Sequence, residues 1–160
     1  MKAFIVSQKI LSIGATYTVT LPDSDNVLYT IRGKILTFTP LLEMKSGTEG
    51  PLIRILRGNF FKTRFSVESP DGIEEAAIQF PFVALFKRFT LTIGDMEYNA
   101  KGSITAWDFN CTDETGNSIF SITKKFAYRD KFTVTVHETI PEEDIILVAV
   151  AVDQKFFTQR

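Results

Sequence analysis

The sequence contains very few cysteine, histidine and tryptophan residues. It contains one cysteine, one histidine and one tryptophan, and its 18 basic and 19 acidic side chains leave a net charge of −1. Cys111 has no disulfide partner within the chain, so we expect a reducing compartment and a buried thiol. The balanced charge creates no field that would attract nucleic acid, and no nucleic-acid partner is expected.

Long apolar runs are also missing. The run from Ile145 to Val152 has eight residues, far short of the ~20 that span a bilayer. Near the start only Ala3 to Val6 are apolar in succession, too few for a signal-peptide core. We therefore expect a single domain, residues 1–160, in a cytoplasmic protein that is peripheral at most to a membrane.

Catalytic and metal-binding motifs are absent from the sequence. His137 is the only histidine, predicted at the exposed rim beyond the last strand, and there is no nucleophile elbow, phosphate loop or dinucleotide fingerprint. Asp23–Asn26 begins like a calcium loop, but Lys34 stands where the bidentate Glu belongs, so we interpret it as a turn. Asp113–Asn117 is interpreted as a hairpin loop. We expect a non-enzymatic protein without cofactor or metal.

The chain does contain an unusual number of phenylalanines, 15 in all, which indicates an aromatic core. A large residue, a polar one and an aliphatic one recur at intervals of about 24 residues. The copies begin at Tyr17, Leu42, Phe65, Phe89 and Phe132, with Phe109-Asn110-Cys111 as a degraded copy. These six units show the period-two alternation of strands with one buried face.

A second strand is predicted between successive copies, with turn residues such as Pro70-Asp71-Gly72 as separators. Six two-strand units give about twelve antiparallel strands within residues 3–138. A sheet of that size closes, because closure removes exposed edges. Its lumen is too wide for the strand side chains alone to fill.

The C-terminal segment, about 141–157, is the predicted filling of that lumen. Thr139 is expected to cap a helix, Pro141 fits its first turn, and Glu142, Glu143 and Asp144 place negative charge at the positive end of the dipole. Ile and Val prefer strands, but a run that is apolar all round is typical of a helix buried on every side. The alternative is a final central strand of a sandwich.

Three stretches resemble the LURP-one-related family of the Tubby C-terminal-like superfamily. Gln8–Val19 resembles its first hairpin, Val27–Lys34 its second, and Lys131–Val134 with Glu142–Asp144 and the apolar run its last strand and central helix. The resemblance implies a closed twelve-stranded barrel around a hydrophobic C-terminal helix, mostly β, similar to Tubby domains and phospholipid scramblases. It implies a link to membranes, since Tubby domains bind phosphoinositides through surface Lys and Arg. The cysteine-rich and acidic calcium stretches of scramblases are missing here.

One cluster of basic residues is a candidate lipid site. Residues 50–67 carry four cations and no acid, whereas residues 68–75 carry four acids and no cation. If the cations share a barrel face with neighbouring ones, they would attract anionic head groups at about 1 kcal/mol per charge. The alternative is a solvated strand face paired with the nearby acids. The predicted lipid-binding residues are Arg54, Arg57, Lys62, Arg64, Lys87, Arg88, Lys124 and Lys125.

Three functions remain open from the sequence. The first is a barrel that binds anionic phospholipid or a membrane surface. The second is a structural or regulatory module that binds another protein, which an exposed apolar patch would favour; Phe156-Phe157 could supply one, although closing the barrel mouth is the expected role. The third, an enzyme using the barrel mouth, needs a polar pocket that the sequence does not indicate.

Overall fold

The computed structural model describes residues 1–11, 14–34, 37–83, 87–103, 108–124 and 130–157, with only the backbone for residues 10, 11 and 157. It contains twelve strands followed by one helix, α1 (Glu142–Val152), and a π-helical turn, Asp153–Phe157. The strands are β1 (Lys2–Leu11), β2 (Gly14–Thr20), β3 (Tyr29–Gly33), β4 (Leu41–Ser46), β5 (Leu52–Gly58), β6 (Arg64–Glu68), β7 (Glu74–Gln79), β8 (Arg88–Ile93), β9 (Met96–Gly102), β10 (Asp108–Thr112), β11 (Ser118–Lys124) and β12 (Lys131–Val136).

The strands form one closed antiparallel barrel in which each pairs with its neighbours in the chain. The barrel closes where β1 pairs with β12, from Lys2 opposite Val136 to Ser7 opposite Lys131. The predicted fold class is therefore confirmed. The stretch Val27–Lys34, compared above with a hairpin, supplies the single strand β3, whose partner β4 begins only at Leu41.

The repeat in the sequence marks every second strand. Its six copies lie on β2, β4, β6, β8, β10 and β12, and both large positions of each copy are buried. In the degraded copy, Phe109 and Cys111 point into the core like the others. Successive side chains alternate between the faces of a strand, so the polar middle residue of each copy points outward.

Helix α1 fills the lumen. Every residue from Asp144 to Val152 is buried, and the helix packs against β5, β6, β7 and β12. The sandwich alternative is wrong because β1 and β12 already pair with each other and leave no sheet edge for another strand. The surrounding wall therefore overrides the strand preference of Ile and Val.

The start of the helix differs from the expectation in one detail. Pro141 is the N-cap residue and no side chain caps the helix. Thr139 instead bonds His137, with 2.8 Å between Oγ1 and Nδ1. The three acidic residues do lie in the first turn, where they offset the positive end of the helix dipole.

Phenylalanine rings close the core around the end of the helix. Phe156 stacks on Phe109 at 5.4 Å and meets Phe80 edge-on at 5.5 Å. The side chain of Phe157, the other residue expected to close the barrel mouth, lies outside the described residues. Gly58 lies opposite Phe65, and a Cβ there would lie 2.6 Å from that ring. The absence of a side chain at Gly58 therefore leaves space for the Phe65 ring.

Candidate functional site

The two ends of the barrel differ because the helix enters at one and leaves at the other. Residues 142–144 contact Lys2, Tyr29 and Arg54, which lie near the start of their strands. We call this the entry end; its connections are residues 21–28, 47–51, 69–73, 94–95, 113–117 and 137–141. At the opposite, exit end the connections are residues 12–13, 34–40, 59–63, 80–87, 103–107 and 125–130.

The two sets of connections carry opposite charge. Those of the entry end contain no Lys or Arg but eight acids: Asp23, Asp25, Glu49, Asp71, Asp95, Asp113, Glu114 and Glu138. Those of the exit end contain one acid, Asp130, and five cations: Lys34, Lys62, Lys87, Lys125 and Arg129. Lys125 and Arg129 lie outside the described residues. A chain of nearly zero net charge is thus strongly polarised along the barrel axis.

Exposed phenylalanines are found at the exit end. Phe38 is 94% exposed, and Phe60, Phe61, Phe82 and Val83 are also largely in solvent. We call these five residues the aromatic tip. Phe61 joins two connections, with its ring 5.2 Å from Phe60 and 5.8 Å from Phe82. The entry-end connections contain no aromatic residue, and their exposed apolar residues, such as Ile73, are aliphatic.

A tight turn presents Phe60 and Phe61. The Asn59 carboxamide accepts from the backbone N–H of Thr63 at 2.8 Å and of Arg64 at 3.2 Å, and the Lys62 N–H donates to Asn59 O at 3.1 Å. Lys62 has φ +54°, a left-handed conformation that costs a non-glycine residue on the order of 1 kcal/mol. The turn is therefore held by its own hydrogen bonds with both rings directed away from the core.

Lysines connect the aromatic tip to the end of the helix. Lys62 Nζ donates to Gln154 O at 3.2 Å, and Lys155 Nζ donates to Phe61 O at 3.4 Å. Lys87 Nζ lies 4.4 Å from the centre of the Phe156 ring. Burial lowers the pKa of both Lys87 and Lys155. These contacts place three lysine side chains at the exit end, next to the residues that follow α1.

A buried polar network lies deeper at the same end. Asp153 accepts from Lys124 Nζ at 3.0 Å and from the Tyr17 hydroxyl at 2.8 Å. Gln154 Nε2 donates to the Tyr17 oxygen at 3.0 Å, and Gln8 does so at 3.4 Å. Within the described residues, no buried side-chain nitrogen or oxygen lacks a hydrogen-bond partner. The network fixes the end of the helix to strands β1, β2 and β11.

The sequence profile of the LURP-one-related family matches residues 2–153. The chain belongs to the LURP-one-related family. Among solved structures, the crystal structure of an Arabidopsis thaliana protein superposes with a TM-score of 0.66 at 14% identity, covering 96% of this chain and 91% of that one. At that identity the likeness shows the shared fold alone. No curated protein sequence matches the chain.

The predicted basic residues of this LURP-one-related barrel do not share one face. Arg54 points inward and pairs with Asp144 at 3.0 Å, and Lys124 is buried against Asp153. The assumption of a common face fails because the sheet pleat sends residues of opposite parity to opposite faces. Lys125 lies outside the described residues.

Others of the set stand on the outer wall or at the exit end. Arg57 pairs with Glu68 at 3.1 Å and Arg64 with Glu74 at 2.9 Å. For these two residues the structure has the alternative arrangement, a solvated strand face paired with the nearby acids. Lys62 and Lys87 lie at the exit end, and Arg88 is exposed at the start of β8. Lipid binding by this set stays a prediction.

Sequence reasoning missed the aromatic tip because it assigned the phenylalanines to the core. A usable signal was present. Connections between strands are normally polar, whereas Phe60-Phe61 and Phe82-Val83 stand between strand patterns. Apolar residues in turns mark contact sites rather than core.

The remaining candidate residues have structural surroundings. Cys111 is buried, and burial raises its pKa to about 11. His137 is partly exposed just after β12, as predicted. Asp113 accepts from the Thr115 hydroxyl at 2.7 Å and from the N–H groups of Asn117 and Thr115, each at 2.9 Å, and these bonds hold the pKa of its carboxyl below the usual range. The part of the chain that is described holds no group of three or more potential metal ligands.

The entry end holds a second set of perturbed groups. The Tyr29 hydroxyl donates to Glu142 at 2.9 Å, and burial together with the neighbouring carboxylates raises its pKa. Burial also raises the pKa of Asp144, against the opposing effect of Arg54. These contacts anchor the first turn of the helix to the wall. In addition, no helix among the described residues is long and apolar enough to cross a membrane.

Proposed function

We propose that this LURP-one-related barrel is a non-enzymatic, peripheral membrane-binding protein that docks on anionic bilayers through its exit end. The observation that carries the proposal is the aromatic tip, in which exposed phenylalanines stand on a cationic end of an otherwise neutral chain. Apolar side chains flanked by Lys and Arg are the chemistry of proteins that lie in the membrane interface.

The energetics favour a bilayer over solvent at this end. Burying one phenylalanine is worth ~1.5–3 kcal/mol, and the tip offers four rings, those of Phe38, Phe60, Phe61 and Phe82. Each nearby Lys or Arg adds about 1 kcal/mol against an anionic surface. Lys62 and Lys87 come from the predicted basic set, while the tip supplies the apolar part that the prediction lacked.

The polarity of the barrel supports one orientation. With the exit end on the bilayer, the eight acids of the entry-end connections face away from the anionic surface, on the far side of the barrel. Like charge placed near the membrane would repel over about a Debye length, ≈ 8 Å at physiological salt. Docking through the exit end therefore brings the cations to the anionic surface and keeps the acids away from it.

The test is vesicle sedimentation with two matched variants of the full chain. Phe61 and Ile73 are each 64% exposed, at opposite ends of the barrel. We expect the wild type to sediment with vesicles containing phosphatidylserine, Phe61→Ser to bind about tenfold more weakly because it loses more than ~1.4 kcal/mol of apolar transfer, and Ile73→Ser to match the wild type.

Two results would contradict membrane docking. The first is equal recovery of the wild type in the supernatant with and without anionic vesicles. The second is an equal loss of binding in Phe61→Ser and Ile73→Ser, which would show that any exposed apolar residue contributes and that the exit end has no special role. Failure with every vesicle composition would favour a protein partner at the aromatic tip.

A further inference from the structure

A pocket of about 250 Å³ lies on the outer wall of the barrel, over β3 and β4. Thr30 is opposite Lys45 and Arg32 is opposite Glu43, and these four residues share the outward face of the two strands because alternate residues of a strand point the same way. The described lining residues are Thr30, Arg32, Gly33, Lys34, Glu43 and Lys45. The pocket therefore combines three cations with one acid.

The acid of the pocket already has a partner. Lys34 Nζ lies 2.8 Å from Glu43 Oε1, so this pair offsets one positive charge with one negative charge. Within the described part of the chain, the side chains of Arg32 and Lys45 take part in no hydrogen bond or ion pair. Two positive charges therefore remain in the pocket.

Arg32 differs in this respect from other exposed arginines of the wall. Arg57 and Arg64 each contact an acid on the neighbouring strand, at 3.1 Å and 2.9 Å. The acid opposite Arg32 is Glu43, but the contact of that carboxylate is with Lys34. The guanidinium group of Arg32 thus has no carboxylate in contact among the described residues.

Arg32 and Lys45 can reach one ligand together. The register makes them diagonal neighbours across β3 and β4, about 7–8 Å apart at their Cα atoms, which is within reach of long side chains. Between them lies Thr30, which is only 3% exposed and whose hydroxyl donates to Gly47 O at 2.8 Å. The floor of the pocket is therefore neutral, and the two cations are free to converge above it.

We propose that this pocket on the outer wall binds a phosphomonoester between Arg32 and Lys45. A phosphomonoester carries a charge of about −1.5 to −2 at neutral pH and three acceptor oxygens, which offsets both remaining cations, whereas a carboxylate would offset only one. Arginine binds such a group in bidentate fashion and lysine as a point charge.

The phosphomonoester can come from a lipid or from solution, and the lipid form rests on the proposed function. Arg32 and Lys34 lie where β3 reaches the exit end, and the connection that follows carries Phe38 of the aromatic tip. A barrel docked through that tip therefore holds the pocket beside the headgroup layer.

The first experiment titrates the full chain with glycerol 3-phosphate by calorimetry. We expect binding to the wild type and a loss of about tenfold or more in Arg32→Gln and in Lys45→Gln, because charge-assisted hydrogen bonds contribute at least that factor. The control is Lys131→Gln, which removes an exposed cation on β12, three strands from β3, and should bind like the wild type. Absence of binding, equal affinity in all four proteins, or an equal loss in Lys131→Gln would overturn the proposal.

Glu43→Gln gives a prediction of the opposite sign. The Glu43 carboxylate repels an anion in the pocket and holds Lys34, so the neutral amide should bind glycerol 3-phosphate several-fold more tightly than the wild type. Unchanged or weaker binding would overturn the assignment of the phosphate to this pocket.

The second experiment separates a lipid from a soluble source. Vesicles with phosphatidic acid, a phosphomonoester, are compared with phosphatidylserine vesicles of matched surface charge. A preference for phosphatidic acid that disappears in Arg32→Gln and Lys45→Gln supports the lipid form, whereas Phe61→Ser should weaken binding to both. Glycerol 3-phosphate binding without that preference, or a preference that persists in both variants, would overturn the lipid form. Failure of all vesicle binding, with the titration intact, would refute the proposed function and not the pocket.

Discussion

The buried pair of Lys124 and Asp153 provides a sharp test of how the helix end is held. Their side chains are 5% and 2% exposed, and 3.0 Å separates Nζ from Oδ1. Asp153→Leu leaves the ammonium group buried without this carboxylate, a change that costs about 3–5 kcal/mol, and removes the acceptor of the Tyr17 hydroxyl, worth about 1 kcal/mol. In Lys124→Met/Asp153→Leu no charge remains at the pair, and most of that loss, about 3 kcal/mol, should be recovered.

The assay is urea and thermal unfolding followed by circular dichroism. For a chain of this size each kcal/mol shifts Tm by about 2–4 °C, so Asp153→Leu should melt roughly 10–20 °C below the wild type. Glu74→Gln is the surface control, because Arg64 and Glu74 are each 48% exposed and such pairs contribute less than about 1 kcal/mol. A loss below about 1 kcal/mol in Asp153→Leu, or a double variant as unstable as the single one, would refute the reasoning.

Two further predictions concern the core. Cys111 should resist thiol reagents at pH 8 in the folded protein and react on unfolding in urea, since it is buried and burial raises its pKa from 9.0 to about 11; fast labelling of the native protein would contradict this. Because the folded pKa is the higher one, its contribution to stability is complete below pH 9 and is lost as the pH rises through 11. A chain ending at Val136 lacks α1 and should not fold, as judged by circular dichroism and amide NMR dispersion; a folded truncate would show that the barrel does not need its helix.

The fold could be predicted because its signals are periodic and consistent with one another. The 24-residue repeat marks alternate strands, and alternation within each copy identifies the buried face, so Tyr17, Phe65 and Phe132 were assigned correctly. The helix was predicted against propensity, on its uniform apolarity and on the proline and acidic residues of its first turn. The predicted cap was wrong because the helix begins at Glu142, which places Pro141 at the N-cap position, and Thr139 bonds His137 instead.

The site was harder to predict because burial of a cation depends on register. Arg54 and Arg57 lie three residues apart on β5, so the pleat directs one inward to Asp144 and the other outward to Glu68. No charge count along the sequence distinguishes them. Phe60 and Phe61 could be recognised from the sequence only because they stand between two strand patterns, where polar residues are normal.

The dipole of the central helix is a competing explanation for the charge polarity of the barrel, but it explains only part of the pattern. Acids at the entry end and lysines at the exit end both complement a helix dipole, but that effect fades within one turn of the helix terminus. It accounts for Glu142 and for Lys62, which donates to Gln154 O. It does not account for distant acids such as Asp71, or for phenylalanines such as Phe38 held in solvent. The membrane docking proposed above gives such phenylalanines an apolar environment and leaves the distant acids on the far side of the barrel.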